Sequence, residues 1–247
     1  MEKYRNEGRR VPGAARAGDP AEEQGDRENR PFPLSPGPGL SEVGFMCGRY
    51  TLTQEQEALQ AALGVAGLLH PRPRYNVAPT QEAPVILASP SGLQCEVMRW
   101  GLIPSWAEDP AMGSRMINAR SETAHRKPSF REPFRHRRCL VPADGFYEWS
   151  EEGGRKVPFL IRLASGNPFT FAGLWERWES PERGEVRTFT ILTRDAIPAI
   201  HAIHPRMPVL IPSGERERWL DPETPVPDLQ DLLLRPRGEG DELSPGD

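Results

Sequence analysis

The residue with the most distinctive chemistry is Cys47, in the segment MCGRY. A methionine before a small residue is readily removed, and a chain that begins at Cys47 carries a thiol and an α-amine on adjacent carbons. The pKa of such an amine is about 7.7–8.0, so much of it is neutral near physiological pH and condenses with an aldehyde. The thiol then closes a thiazolidine ring, which an internal cysteine cannot do. The alternative is a buried cysteine at the start of a strand, since an unpaired cysteine behaves as a small hydrophobic residue.

Three further polar residues stand in apolar or aromatic surroundings that suit catalysis. Glu148 lies between Tyr147 and Trp149, and removal from water raises the pKa of a carboxyl toward values useful for acid–base work. A histidine such as His204 transfers protons near neutral pH, and an asparagine such as Asn118 orients an amine or polarises a carbonyl. Each also has an ordinary interpretation, respectively a solvent-facing strand residue, a turn histidine and a loop or cap residue.

The segments that must position these residues are mostly short strands. Runs of β-branched or aromatic residues bounded by Gly, Pro, Ser or Asp predict strands at 83–88, 93–100, 157–163, 168–174 and 186–192. The order of elements is not a regular βαβ alternation, which disfavours a parallel doubly wound sheet. We therefore predict an α+β fold: a mixed, mostly antiparallel sheet or barrel-like core with a few peripheral helices.

Helical signals are fewer than strand signals. Thr53 and Gln56 would form a capping box for a helix at 54–63, and Gly64 stands where that helix would end. A second short helix is predicted from Ser213, as its cap, through Leu220, and a third at 228–234.

The two ends of the chain differ from its middle in composition. Residues 1–45 are rich in Gly, Pro, Arg, Glu and Ala, and we predict that they are disordered or precede the true start. We expect one domain at 46–234 and a disordered tail at 235–247. Translation from Met46, or cleavage after it, would free the amine of Cys47.

The charge of the chain is also uneven. The net charge is −4, yet 22 basic and 19 acidic residues lie between Met46 and Leu220. Eight basic residues against two acidic ones lie from Arg115 to Arg138, a density that suits phosphate contacts or a solvated arginine-rich face. The three cysteines and five histidines show no metal-ligand spacing, which disfavours a metal hydrolase and a disulfide framework. The absence of long apolar stretches predicts no membrane segment, and the cysteine usage is typical of the cytoplasm.

Eight segments of this chain resemble the successive blocks of the SOS-response-associated peptidase family, in the order of the family and at plausible spacings. They extend from about Met46 to Leu220. The segments are MCGRYTLT (46–53), RYNVAPTQ (74–81), RWGLIPSW (99–106), INARSET (117–123), RRCLVPADGFYEW (137–149), FAGLWERW (171–178), FTILTRDA (189–196) and IHPRMPVLI (203–211).

The resemblance implies a specific function. Family members bind single-stranded DNA, favour single-strand to double-strand junctions and trap abasic sites through an N-terminal cysteine as a thiazolidine crosslink. They are also described as thiol autopeptidases. Carried over, Cys47 is the nucleophile, and Asn118, Glu148 and His204 complete the catalytic site.

The resemblance also implies the surroundings of the reaction. The positions that would contact the DNA backbone or stack near the lesion are Arg49, Asn76, Pro79, Trp106 and Arg120. We expect a cytoplasmic monomer, close to the nucleoid after damage, with no cofactor, no metal and no membrane partner. Trp100, at the end of an alternating strand, is expected in the core. The basic run 126–138 is not a family block, although its arginines could meet phosphates.

Two alternatives remain open on the sequence. One is a thiol peptidase that uses Cys47 and His204 on peptides in trans and needs no free amine. The other is a non-covalent single-stranded DNA-binding module. Family members also continue past the last predicted helix into a further strand, whereas this chain ends in GEGDELSPGD. We therefore expect one sheet edge or pocket wall to be incomplete.

Overall fold

The structure, a computed structural model, describes residues 47–65, 72–235 and 242–245. The predicted disorder of residues 1–45 and the status of Met46 lie outside this part of the chain. The strands in the described residues are β1 (Arg49–Leu52), β2 (Arg74–Val77), β3 (Glu82–Ser89), β4 (Gly92–Trp100), β5 (Asn118–Arg120), β6 (Arg138–Ala143), β7 (Gly145–Glu152), β8 (Arg155–Leu163), β9 (Phe169–Ser180), β10 (Gly184–Asp195), β11 (Arg206–Pro208), β12 (Leu210–Ile211) and β13 (Leu243–Pro245).

Short helices connect these strands. The α-helices of the described residues are α1 (Gln56–Leu63), α2 (Ser121–Ala124), α3 (Arg131–His136), α4 (Pro198–His201), α5 (Arg216–Leu220) and α6 (Val226–Leu234). The 3-10 helices in the same part of the chain lie at Pro110–Arg115 and Ser213–Glu215. The fold class predicted from the sequence is confirmed: a mostly antiparallel, mixed sheet with a barrel-like core and a few helices.

The strands form two sheets. The smaller sheet has the order β13-β8-β7-β1-β2 and is antiparallel throughout. The larger sheet has the order β11-β10-β4-β3-β6-β9-β12, and its long hairpin β9–β10 also pairs along its length. Strands β10, β4, β3, β6 and β9 therefore close on themselves as a barrel. Parallel pairing occurs where β10 meets β4 and β5.

Two apolar clusters lie on opposite faces of the barrel strands. The inner cluster joins Tyr50 and Phe146 of the smaller sheet to Trp100, Phe171 and Phe189 of the barrel. The helices cover the outer cluster, in which α1, α3, α5 and α6 bury leucines and aromatic rings against the other face. Burial of apolar surface stabilises a fold by roughly 25 cal/mol per Å². Both clusters therefore help to fix the positions of the strand ends that carry the site.

The five predicted strands all exist as β3, β4, β8, β9 and β10, and α1 ends at Gly64 in the left-handed conformation as predicted. The capping box of α1 was wrong. The backbone N–H groups of Thr53 and Gln54 instead donate to the carboxylate of Asp144, about ninety positions along the chain. The helix therefore begins at Gln56, two residues later than expected. The segment from Ser213 forms a 3-10 turn before α5, whose N-cap is Glu215.

The expectation of a wholly disordered tail at 235–247 was also wrong. Leu243–Pro245 form β13, an edge strand antiparallel to β8, and Leu243 is buried in the inner cluster. One leucine among polar residues gives no alternating pattern from which a strand could be predicted. The strand forms because the edge of β8 is open to pairing and because that leucine packs into the inner cluster. The expected gap at this sheet edge is therefore filled.

Candidate active site

Cys47 and Glu148 lie in direct contact although they are 101 positions apart. Cys47 stands two residues before β1, and β1 pairs with β7 so that Arg49 is opposite Tyr147. This register brings the backbone N of Cys47 to 2.8 Å from Oε1 of Glu148, to which it donates. Both residues are 1% exposed. Cys47 has a φ angle of 44°, in the left-handed region.

The surroundings of this pair favour its protonated forms. Burial raises the pKa of the Glu148 carboxyl to about 8, although the hydrogen bond from the backbone of Cys47 opposes this shift. Burial, and then the charge of Glu148, raise the pKa of the Cys47 thiol well above its ordinary value. A carboxyl poised near pH 8 is equipped both to give and to take a proton at neutral pH.

Asp144 fixes the end of β1 against the turn between β6 and β7. Its buried carboxylate accepts hydrogen bonds from the hydroxyls of Thr51 and Thr53 and from the backbone N–H groups of Thr53 and Gln54. Because Asp144 lies one residue before β7, this contact sets the relative position of Cys47 and Glu148. The role of Asp144 was not predicted from the sequence. The available signal was its position directly before the glycine of the segment ADGF, which is typical of a turn.

Asn118 begins β5, which runs parallel to β10 with Asn118 opposite Ile191. The residue before it, Ile117, is buried in the same inner cluster as Cys47, and its carbonyl accepts a hydrogen bond of 2.8 Å from Nε1 of Trp100. Trp100 is fully buried, which confirms the expected core role. Asn118 as a whole residue is partly exposed, but its side-chain Oδ1 is buried.

His204 lies between α4 and β11. Its backbone N–H donates to the carbonyl of Ile200, and its Nδ1 lies 3.1 Å from the backbone of Arg206. Ile200 and Met207, on either side of this turn, belong to the inner cluster with Cys47. One apolar cluster thus supports the segments that carry Cys47, Asn118 and His204.

A charged cluster adjoins the His204 turn and was not singled out by the sequence analysis. The guanidinium of Arg206 lies 2.6 Å from Oε1 and 2.9 Å from Oε2 of Glu122, and 2.6 Å from Oδ1 of Asp195. Burial alone would raise the pKa of Glu122, but hydrogen bonding and the charge of Arg206 hold it below its ordinary value. Both residues lie inside recognised blocks, at INARSET and IHPRMPVLI, but spacing gives no sign that they meet.

The residues expected to contact DNA differ in exposure. Trp106 is 57% exposed, in the loop after β4, and Asn76 is exposed on β2, the edge strand of the smaller sheet. Arg120 is exposed at the end of β5. Pro79 is partly buried, as is Arg49, whose Nη1 donates to the carbonyl of Gly48 at 2.8 Å. These positions lie at strand ends and in the connecting loops, where side chains reach a ligand.

Part of the basic run 126–138 is structural. Arg138 is 5% exposed, and its guanidinium donates to the carbonyls of Phe134, Arg135, Trp219 and Asp221, where α3 and α5 end. The guanidinium of Arg138 thus pairs with carbonyl groups at the C-termini of two helices. The expectation that Arg138 meets phosphates was therefore wrong. The basic side chains and the histidine that stay exposed in this run are Arg126, Lys127, Arg131, Arg135 and His136.

Two kinds of feature are absent from the described residues. No group of three or more His, Cys, Asp or Glu side chains in that part of the chain is arranged to hold a metal ion. No helix there has the length and apolarity needed to cross a membrane.

Comparisons with known proteins agree with the resemblance seen in the sequence. A family model described as SOS response associated peptidase matches residues 46–244. The protein named Abasic site processing protein YoqW, from Bacillus subtilis, is 42% identical over 195 residues, which is 77% of this chain and 87% of that protein. Abasic site processing protein HMCES from Gallus gallus is 36% identical over 195 residues, 66% of this chain and 58% of that protein.

Solved structures share the fold. A crystal structure of a protein from Bacteroides thetaiotaomicron superposes with a TM-score of 0.72 at 29% identity, covering 80% of this chain and 90% of that one. A second, from Bordetella bronchiseptica, gives a TM-score of 0.70 at 27% identity and covers 81% of this chain and all of that one.

Proposed function

This chain belongs to the SOS response associated peptidase family, and we propose that it processes abasic sites in DNA by forming a covalent thiazolidine through Cys47. The observation that carries the proposal is the contact of 2.8 Å between the backbone N of Cys47 and the buried carboxyl of Glu148. If the chain begins at Cys47, that nitrogen is an α-amine, and the carboxyl beside it serves each proton transfer at the amine.

The reaction has two stages. The neutral amine of Cys47 attacks C1′ of the opened abasic sugar, and protonated Glu148 gives its proton to the departing hydroxyl, which leaves as water. The thiol then adds to the iminium carbon and its proton returns to Glu148. The product is no longer an iminium, so the neighbouring C2′ proton is not acidified and the strand is protected from β-elimination.

The electrostatics of Cys47 favour this two-stage crosslinking reaction over the activity of a thiol peptidase acting in trans. A peptidase cysteine needs a depressed pKa, given by a neighbouring cation or helix N-terminus. Burial and Glu148 act in the opposite direction on Cys47. A protonated thiol suits the second stage, where the electrophile is already an iminium.

The amine must be free for this chemistry. With Met46 attached, the nitrogen of Cys47 is an amide and cannot condense with an aldehyde. We propose that the bond after Met46 is absent from the active protein, through translation from Met46 with loss of the methionine or through cleavage by this same site. Intact-mass measurement of protein made from the native gene tests this point, and a fully active chain that retains residues 1–46 would contradict it.

The decisive experiment is a denaturing gel. Protein begun at Met46 is mixed with a single-stranded oligonucleotide that contains one abasic site, beside Cys47→Ala, the full 247-residue chain and a Cys95→Ser control that removes a partly exposed thiol elsewhere. We expect a heat-stable shifted band for the Met46 form and the control, and none for 247-residue protein whose intact mass shows that residues 1–46 are retained. A band in Cys47→Ala would refute the assignment of Cys47, and no band in any lane would favour non-covalent binding.

We further propose that Asn118 holds the backbone of Cys47 in reach of C1′ and that the DNA is held by phosphate contacts and stacking. Arg49 and Arg120 would meet phosphates and Trp106 an unstacked base, with Asn76 and Pro79 beside them. The exposed cations Arg126, Lys127, Arg131 and Arg135 would extend this surface.

Salt dependence tests this DNA surface. For single-stranded DNA the slope of log K against log salt changes by about 0.7 for each phosphate contact removed. Replacement of Lys127, Arg131 and Arg135 by Gln should lower the slope for an undamaged oligonucleotide by roughly 2 units. Replacement of the exposed Arg155, Lys156 and Arg183 is the matched control, and an equal change in both triple variants would locate the surface elsewhere.

A further inference from the structure

The backbone of Arg206 orients the ring of His204. The backbone N–H of Ala196 donates to the carbonyl of Pro205, so the next pair of the ladder, Asp195 opposite Arg206, is a non-hydrogen-bonded pair. The N–H and carbonyl of Arg206 therefore point away from β10. Both meet Nδ1 of His204, each at 3.1 Å.

This contact selects one tautomer of the neutral ring. An N–H group has a single partner and is costly to leave unpaired, whereas a carbonyl with two lone pairs tolerates it better. The N–H of Arg206 is satisfied when the lone pair of Nδ1 accepts from it. The proton of the neutral His204 ring then lies on Nε2.

The side chain of Arg206 holds that backbone in place from two directions. Its Nη2 donates to the carbonyl of Thr193 in β10 at 2.8 Å, and both terminal nitrogens bind the carboxylate of Glu122 as a fork. Glu122 belongs to α2, four residues after Asn118. The side chain of Arg206 is only 11% exposed, whereas that of Glu122 is 35% exposed.

We propose that Glu122 is a positioning residue that fixes Arg206 and, through it, holds neutral His204 as an Nε2–H hydrogen-bond donor to the abasic sugar. This inference rests on the proposed function. His204 then stabilises the negative charge that develops on O4′ as the C1′–O4′ bond breaks. The leaving O4′ takes a proton from solvent and the C1′ hydroxyl returns one, so the ring neither gains nor loses a proton.

The tautomer is measured without reference to activity. In protein labelled with ¹⁵N-histidine, at a pH where the ring is neutral, long-range ¹H–¹⁵N correlation distinguishes the protonated from the bare nitrogen, and His204→Gln assigns the signal. We expect Nε2 protonated in the wild type and a mixture of both tautomers in Glu122→Gln. Glu176→Gln, which removes a carboxylate paired with Arg137 at 2.8 Å, is the matched control and should leave the signal unchanged.

Several outcomes would overturn the proposal: a wild-type ring protonated on Nδ1, no change in Glu122→Gln, or an equal change in Glu176→Gln. Arg206→Lys keeps the charge but removes the fork, and it should give the same mixture as Glu122→Gln. The amide spectrum of each variant shows whether it is folded. If the amide spectrum shows that Glu122→Gln is unfolded and Arg206→Lys is folded, the tautomer in Arg206→Lys decides. A mixture of tautomers supports the proposal, and a ring that stays protonated on Nε2 overturns it.

Activity gives a second, separable readout. In single-turnover crosslinking by the Met46 form, Glu122→Gln should lower the maximal rate by roughly 10- to 100-fold with DNA affinity unchanged. His204→Gln retains an N–H donor, so its crosslinking rate should be higher than that of His204→Ala. Equal rates for these two would refute the hydrogen-bond role. If no protein forms a crosslink, the proposed function fails, while the NMR result still decides the role of Glu122.

Discussion

Two carboxyl groups of the candidate site have opposite electrostatics. Glu148 is buried with the backbone N of Cys47 as its hydrogen-bond partner, and burial raises its pKa to about 8. Burial also acts against the charge of Glu122, but the fork of Arg206 outweighs it and lowers the pKa of that carboxyl. The two groups differ chiefly in whether a cation lies against them.

This difference separates two roles. A buried carboxyl without a cation exchanges its proton near neutral pH, which suits a group that must move protons. A carboxylate paired with arginine keeps its charge over a wide pH range, which suits a group that must hold a geometry. Substitution of Glu148, Glu122 and Asp195 tests whether that division is correct.

The largest expected effect is on the rate of crosslinking in Glu148→Gln. Glutamine keeps an oxygen that accepts from the nitrogen of Cys47 but cannot carry the proton. We expect the single-turnover rate of the Met46 form to fall by about 10²- to 10⁴-fold. Crosslink formation is measured on denaturing gels, and a rate within twofold of the wild type would remove Glu148 from the chemistry.

The next effect concerns stability. The folded state holds the proton of Glu148 up to about pH 8, whereas the unfolded state releases it near 4.5, so stability is lost as pH rises between these values. In the chain that retains residues 1–46, in which the nitrogen of Cys47 is an amide, the wild type should therefore lose roughly 3–5 kcal/mol relative to Glu148→Gln across this window. Urea unfolding of both proteins at each end of the window measures the difference, and a constant difference would show that the carboxyl is not desolvated.

Glu122→Gln should give a smaller effect with the opposite dependence on pH. A carboxylate whose pKa is lowered stabilises the fold above its unfolded value of 4.5, and that stabilisation is lost as pH falls below it. Because Glu122 is partly exposed, we expect only about 1 kcal/mol at neutral pH. Urea unfolding should show this difference vanish in acid, and a difference that grows in acid would contradict the pairing with Arg206.

The smallest effect is expected for Asp195→Asn. The side chain of Asp195 is 86% exposed, so its bond to Arg206 competes with water. We expect a loss of less than about 0.5 kcal/mol and an unchanged tautomer of His204. A loss equal to that of Glu122→Gln, measured by thermal unfolding, would mean that both acids hold Arg206 equally.

The sequence predicted what local patterns determine. Alternating runs located β3, β4, β8, β9 and β10, and Gly64 marked the end of α1, because these signals lie within a few residues of the feature. The capping of α1 depends on Asp144 from a distant turn, and β13 depends on one leucine and a free strand edge. Neither has a local signal, so both predictions were wrong.

The candidate site shows the same limit. Residue type and block order pointed to Cys47, Asn118, Glu148 and His204, whose catalytic roles stay predictions. The contact between Cys47 and Glu148 spans 101 positions and exists because β1 pairs with β7 in one register. The pairing of Glu122 with Arg206 depends likewise on β5 and β11 both flanking β10, which no spacing in the sequence indicates.

The backbone torsion of Cys47 has a thermodynamic consequence. A residue other than glycine held at a φ of 44° costs on the order of 1–3 kcal/mol, because its side chain crowds the backbone. The first residue of a chain has no φ angle, so a polypeptide that starts at Cys47 occupies the same position without that cost. Even the lower end of this range of cost corresponds to a several-fold change in an equilibrium constant. The folded protein therefore accommodates the shortened terminus more readily than the continuous one, and this bias would oppose re-formation of the Met46–Cys47 bond.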